Sequence, residues 1–301
     1  MLWGLFTRRD VLVATSALAA TGTVSLAKDK RFFVHTEEEP HARTFKQWPV
    51  SRRVYRDRFF LSTVQDTIAE IANSIAEFEP VAMLAASDYH ANARRKLSSR
   101  VELWDIPTED LWCRDAGPIF VVTRAGDIAV RQIQFNGWGE KQINVQDSKI
   151  AGRVAEKLNL PLLPSDLKGE AGGIEQDGHG LLIAHESSWR NNNRNPGLSR
   201  EVIEARLLEA YGADRMIWSP GVWGEDITDY HIDSLARFTG LRQVLINLPK
   251  TPDRRDPFHV AALKTYDVVV SAGLEVEVIP EPKKRRVKTR DFVASYANYY
   301  V

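Results

Sequence analysis

Ile119-Phe120-Val121-Val122-Thr123-Arg124-Ala125-Gly126-Asp127-Ile128-Ala129-Val130-Arg131-Gln132-Ile133-Gln134-Phe135 holds two apolar, β-branched runs joined by a short polar link with a glycine. The pattern predicts a β-hairpin, with strands over 119–123 and 128–135. Residues 147–158 follow with helical spacing, Ile150, Val154 and Leu158 facing inward. A hairpin leading into a helix is the first sign of a chain that alternates strands with single helices.

The same rhythm extends in both directions. Residues 62–78 read as an amphipathic helix. Ser62 and Gln65 suggest a capping box, and Val64, Ile68, Ile71, Ile75 and Phe78 form its apolar face. Pro80 stops it, and 81–84 is a short buried strand. Strands are expected at 101–106, 181–184, 215–218, 243–248 and 275–279. Helices are expected at 199–211, closed by Gly212, and at 256–272, ended by Gly273. Repeated alternation of this kind predicts an α+β or α/β domain.

Bulk properties remove several classes of function. The 301 residues are 44% hydrophobic, enough for a sizeable core. Forty basic residues balance forty acidic ones, so the chain is not built to coat nucleic acid. Cys113 is the single cysteine, which excludes an intramolecular disulfide and thiolate-based metal sites. Arg8-Arg9 precede an uncharged apolar run from Val11 to Ala27 that ends in Ser25-Leu26-Ala27. That order predicts a cleaved, twin-arginine-type export signal over residues 1–27, and hence a periplasmic or secreted protein. The run is short for a spanning helix of roughly 20 residues, so stable membrane insertion is not expected. Lys283-Lys284-Arg285-Arg286, with Lys288 and Arg290, reads as a solvated loop.

Chemistry concentrates in four segments: Trp112 to Pro118, Glu170 to Gly178, Glu225 to Asp233, and Ser295 to Asn298. Their carboxylates can accept the fixed fork of donors on a guanidinium. His231 and Asp233 lie two apart and share a face if the segment is a strand, which suits a proton shuttle beside a substrate-binding anion. A metal held by Asp226, Asp229, His231 and Asp233 is a weaker reading, because metal sites recruit more histidines or a recognisable acidic loop.

Taken together, these segments resemble the agmatine deiminase and bacterial peptidylarginine deiminase family. Glu39-Pro40-His41-Ala42-Arg43-Thr44 with Trp48-Pro49 is similar to E-P-H-x-R-T…W-P, and Trp112 to Pro118 to W-x-R-D-x-G-P. Phe135-Asn136-Gly137-Trp138-Gly139 with Lys141 is similar to F-N-G-W-G-x-K. Glu170 to Gly178 is similar to E-G-G-G-I-E-x-x-G, with Ala171 for the first glycine. Asn193-Arg194-Asn195-Pro196 matches N-R-N-P, Asp226 to Asp233 resembles D-x-T-D-G-H-x-D, and Tyr296 to Tyr299 resembles Y-x-N-F/Y. The matches run in order from Glu39 to Tyr299.

The resemblance implies a pentein-type five-fold α/β propeller over residues 28–301, with its last unit incomplete. It implies hydrolysis of a guanidino group to a ureido group with release of ammonia, on agmatine or an arginine-like compound, without metal or organic cofactor. It assigns the guanidinium clamp to Asp115 and Asp233, proton transfer to His231, support of His231 to Glu170, the channel wall to Trp112, and a place beside the reacting group to Asn298. Two departures stand out. Tyr230 replaces a family glycine, and its ring is expected to fill part of the pocket or to alter the substrate length accepted. The family nucleophile, in a G-G-x-x-H-C segment near its C-terminus, is not found among the residues up to Val301. The chain as given is therefore expected not to turn over. The alternative is a non-catalytic guanidinium- or polyamine-binding protein. Cys113 is not expected to substitute, because Asp115 opposes its ionisation and because on a strand it would point away from the binding residues.

Overall fold

The computed structural model describes residues 31–282 and 295–299. The export signal at 1–27 and the basic run at 283–290 lie outside the described residues.

The α/β alternation resolves into four three-stranded sheets. The first joins β1 (Thr44–Gln47), β2 (Val81–Ala85) and β3 (Val101–Asp105), all parallel, through α1 (Arg58–Ile75) and α2 (Ser87–Arg94). Each later sheet repeats one plan: an antiparallel hairpin, a helix, then a third strand parallel to the second. The second contains β4 (Ile119–Val122), β5 (Ile128–Gln134), α3 (Ile150–Leu158) and β6 (Leu162–Lys168). The third contains β7 (Glu175–Gln176), β8 (Leu181–His185), α4 (Arg200–Tyr211) and β9 (Arg215–Ser219). The fourth contains β10 (Ala236–Gly240), β11 (Gln243–Leu248), α5 (Pro257–Ser271) and β12 (Glu275–Pro280).

The first hairpin forms as its sequence demands. Ile119 pairs with Arg131 and Val122 with Ile128, and Gly126 takes the left-handed φ of 92° that the turn requires. β2 and β8 are buried along their whole length, which their unbroken apolar sequences anticipate for central parallel strands. Neighbouring sheets share cores. Ala82 and Leu84 of the first meet Ile150 and Val154 of α3. Ile133 and Leu167 of the second meet Leu182 and Ala184 of the third, with Ile203 and Leu207 of α4. Ile183 and Ile217 meet Ile246 and Val269 in the same way. Among the described residues no helix is long and apolar enough to cross a membrane.

α1 departs from its expected register. It begins four residues before Ser62, and its cap is Asp57, which accepts from Phe59 N at 2.7 Å and Phe60 N at 3.2 Å. Gln65 is not part of a capping box; it is buried and donates to the Pro49 carbonyl at 2.8 Å. The buried face is Leu61, Gln65, Ile68, Ala69 and Ala72, whereas Phe78 is 88% exposed and Ile71 is 40% exposed. Two alanines let the helix settle close onto the sheet, and that packing outweighs the larger but rotated Ile71–Phe78 stripe. Short elements without strong periodicity, namely β1, α2, β6, β7 and β10, are additions to the sequence reading.

Candidate functional site

Three links between units occupy equivalent places in the repeat. Each follows the third strand of one sheet and leads into the hairpin of the next. They are the one-turn helix Cys113–Ala116 before β4, the 3-10 turn Ala171–Gly173 before β7, and the 3-10 turn Ile232–Ser234 before β10. Asp115 lies in the first, Glu170 caps the second, and His231 and Asp233 flank and occupy the third. Repetition of the unit thus carries residues far apart in sequence to one place.

Gly172 marks the centre. A Cβ placed on it would lie 2.6 Å from Asp115 Oδ1, 2.7 Å from His231 Nδ1 and 2.8 Å from Asp233 Oδ2. A side chain at this position would have to displace those three atoms from their places. Trp138 Nε1 donates to Asp115 Oδ2 at 2.9 Å, and Gly172 N donates to Asp115 Oδ1 at 3.2 Å. His231 Nδ1 is 3.7 Å from Asp115 Oδ1, and its Nε2 is 3.2 Å from Glu170 Oε2. Glu170 in turn accepts from Arg194 Nε at 3.1 and 2.9 Å.

The electrostatics follow from burial of several carboxylates around one imidazole. Burial pushes Asp233 up to about 6; His231 opposes the rise and Asp115 adds to it. Asp115 is raised too, by burial first, with His231 opposing and Glu170 adding. Burial alone would lower His231, but Asp115, Glu170 and Asp233 outweigh it and lift the imidazole to about 9. At neutral pH His231 is therefore a cation able to give up a proton. A cation bound between Asp115 and Asp233 would favour their charged forms.

An outer ring surrounds this centre. Glu37 accepts from both Arg114 and Arg237, and the Arg237 guanidinium lies 4.6 Å from the Tyr299 ring centre. Lys141 Nζ donates to the Asp226 and Ile227 carbonyls at 3.1 Å and to Asp229 Oδ2 at 2.8 Å. Trp112 stands half-exposed at the start of the first link. Asn298 is exposed in the 295–299 segment and makes no hydrogen bond to Asp115, Glu170, His231 or Asp233. The structure thus joins Asp115, His231 and Asp233 around Gly172, with Glu170 meeting His231, and puts Trp112 at the start of the first link.

Three local readings are corrected. His231 and Asp233 sit on a tight turn, not a strand. His231 is its extended N-cap, so both side chains reach Gly172 without strand alternation. Cys113 also lies on a helical turn, and packs against the Ala82, Leu84 and Trp104 cluster. Burial pushes its thiol up to about 12, although Lys46 beside it acts the other way. The Tyr230 ring does not enter the pocket. It stacks on His185 at 4.6 Å and meets Phe258 edge-on at 5.0 Å within the core. Its φ of 64°, beside Asp229 at 58°, is the backbone for which glycine is suited.

Arg194, Trp138 and Lys141 had no role in the reading from residues, although each fell in a matched motif. An arginine just before Asn195-Pro196 and a tryptophan between two glycines were the available signals.

Comparisons with known proteins agree with this geometry. Residues 33–301 match the family model described as Porphyromonas-type peptidyl-arginine deiminase. The agmatine deiminase of Stutzerimonas stutzeri is 33% identical over 275 residues, covering 87% of this chain and 74% of that protein. The solved agmatine deiminase of Enterococcus faecalis, caught catalysing its reaction, superposes with a TM-score of 0.80 at 25% identity. That match covers 91% of this chain and 82% of the other. A substrate-bound agmatine deiminase of C. jejuni shares the fold, with a TM-score of 0.79 at 24% identity over 89% of this chain and 80% of that one.

Proposed function

The chain belongs to the Porphyromonas-type peptidyl-arginine deiminase family, and from that premise we propose that its site binds a small guanidino compound of the agmatine or arginine type. The family chemistry it serves adds water to the guanidinium carbon and expels ammonia, leaving a ureido group. The observation that carries the reading is the set of Asp115 Oδ1, His231 Nδ1 and Asp233 Oδ2 around Gly172. Two carboxylates pair with the planar cation through charge-assisted bonds. His231, protonated and held by Glu170, gives its proton to the departing nitrogen and then accepts one from water. Trp112 lines the approach for the alkyl chain, while the place of Asn298 beside the reacting group rests on the resemblance alone.

We further infer that these 301 residues bind such a ligand without turning it over. The attack needs a thiolate. Cys113 is the single cysteine, and its packing, partly buried, against Ala82 and Leu84 disfavours that role. The four sheets are read as four units of a five-fold propeller, and the mature protein as exported, on the strength of Arg8-Arg9 and the apolar run that follows them.

Calorimetry of the 301-residue chain with agmatine, beside an assay of ammonia release, tests the reading. Binding is expected in the wild type, weakened roughly 10- to 100-fold in Asp233→Asn, which removes charge-assisted hydrogen bonds worth about 1.5–3 kcal/mol. Ammonia release is expected at background. Absence of binding would sink the proposal. Turnover that vanishes in Cys113→Ser would restore Cys113 as the nucleophile.

A further inference from the structure

The loop that ends at His231 is held in an unusual backbone. Asp229 and Tyr230 are consecutive left-handed residues, neither of them glycine. For an L-residue that conformation is disfavoured, so neighbouring groups must impose it. Asp226 Oδ1 does so in part, accepting from Thr228 N at 2.7 Å and Tyr230 N at 3.1 Å. The remaining hold is shared among other groups: Ser187 Oγ donates to the Asp229 carbonyl at 2.6 Å, Lys141 Nζ to Asp229 Oδ2 at 2.8 Å, and Arg194 adds two bonds. Arg194, whose side chain is completely buried, donates from Nη1 to Asp229 Oδ2 at 2.7 Å and from Nη2 to the Thr228 carbonyl at 3.1 Å. Its Nε edge meets both oxygens of Glu170. Glu170 is the group that meets His231 Nε2.

We propose that Arg194 is the positioning residue of the His231–Glu170 pair: one buried guanidinium fixes the left-handed loop that delivers His231 and also balances the carboxylate that His231 leans on. The guanidinium edges divide the work. Nε faces Glu170, and the Nη groups face the loop. A planar fork suits this, and an ammonium does not, because a point charge on a flexible stem cannot span both partners. Arg194 does not reach Asp115 or Asp233 through any hydrogen bond, so it acts through Glu170 and the loop, not on the ligand.

The charges around His231 set the direction of the effect. Asp115 faces it from the first link, Glu170 from the second, and Asp233 from its own turn. His185 of β8, itself lowered to about 4 by burial, lies on the other side of the loop, and Asp226, Asp229 and Lys141 lie within or against it. Arg194 is the cation that shares Glu170 with His231. Removing it leaves Glu170 to His231 alone, which favours the imidazolium.

The test is histidine-resolved NMR titration of the 301-residue chain, with amide exchange measured over residues 228–231. In Arg194→Met the His231 midpoint is expected to rise by about one pH unit. In Arg194→Lys the cation is kept and the fork is lost. The midpoint should then stay near that of the wild type, while exchange at 228–231 quickens at least tenfold. A role in stability alone would not separate the two readouts. If Arg194→Met does not fold, Arg194→Lys still decides: unchanged exchange, or a midpoint displaced upward, overturns the proposal. A midpoint unmoved or lowered in folded Arg194→Met overturns it as well. The inference rests on the reading of the site above, yet the titration needs no ligand. Failure of the wild-type chain to bind agmatine would therefore sink that reading separately.

Discussion

Tyr230 sets two residue-scale effects against each other. Its left-handed backbone is disfavoured by about 1–2 kcal/mol, which glycine would relieve. Its ring is buried between His185 and Phe258, and removing a buried aromatic side chain costs about 3–5 kcal/mol. Glycine also adds freedom to the unfolded chain. Burial wins, so Tyr230→Gly should destabilise the protein by about 2–3 kcal/mol in urea unfolding. An increase in stability would show that strain dominates at this position. The same arithmetic explains how a large residue can occupy a position whose backbone suits glycine. The ring is accommodated by the core on the far side of the loop, and the pocket around Gly172 is left alone.

At the scale of the element, α1 shows how a local signal yields to tertiary packing. Ser62 and Gln65 have the spacing of a capping box, but Asp57 starts the helix and Gln65 is drawn inward to the Pro49 carbonyl. Asp57→Ala should therefore lower stability by about 1 kcal/mol, the usual worth of an N-cap. Ser62→Ala should leave it nearly unchanged. Thermal unfolding of the two variants decides between the caps, and the reverse order would reinstate the box. The three links before β4, β7 and β10 show the opposite behaviour. They are only a turn long and have no periodicity, yet their equivalent places in the repeating unit bring Asp115, Glu170, His231 and Asp233 together.

For the whole molecule, burial of acids without full pairing makes stability depend on pH in a definite direction. Burial pushes Glu175 up to about 8, with Arg237 and Arg114 pulling the other way, and raises Asp147 to about 7 despite backbone donors from Glu109 and Asp110. His231 is lifted to about 9 by its carboxylate neighbours, against the effect of burial. Each folded-state value lies above the unfolded one, so the folded state holds more protons and stability falls as pH rises. His185, lowered to about 4, acts in the opposite direction, but only up to its ordinary 6.5. Between pH 6.5 and 9 the raised groups act unopposed by it. The unfolding midpoint in urea should fall steadily across that window. A flat or rising profile would mean that Glu175 and His231 titrate near their ordinary values.

The sequence by itself determined the α/β alternation, the positions of the long elements and the chemistry gathered in the motif segments. Those properties are local. The apolar runs of 81–84 and 243–248, the Gly126 turn and the Gly212 helix end act over a few residues, and the identity of a carboxylate or imidazole needs no neighbour. Only the tertiary structure decided which segments meet. It placed Gly172 at the point where three polar atoms converge, and it turned Tyr230 into the core. It also made Arg194 the link between the His231 loop and Glu170, and packed Cys113 against the Ala82 and Leu84 cluster. Each of these depends on how one sheet packs against the next, a long-range property set by shared cores and by the exclusion of water from buried charges.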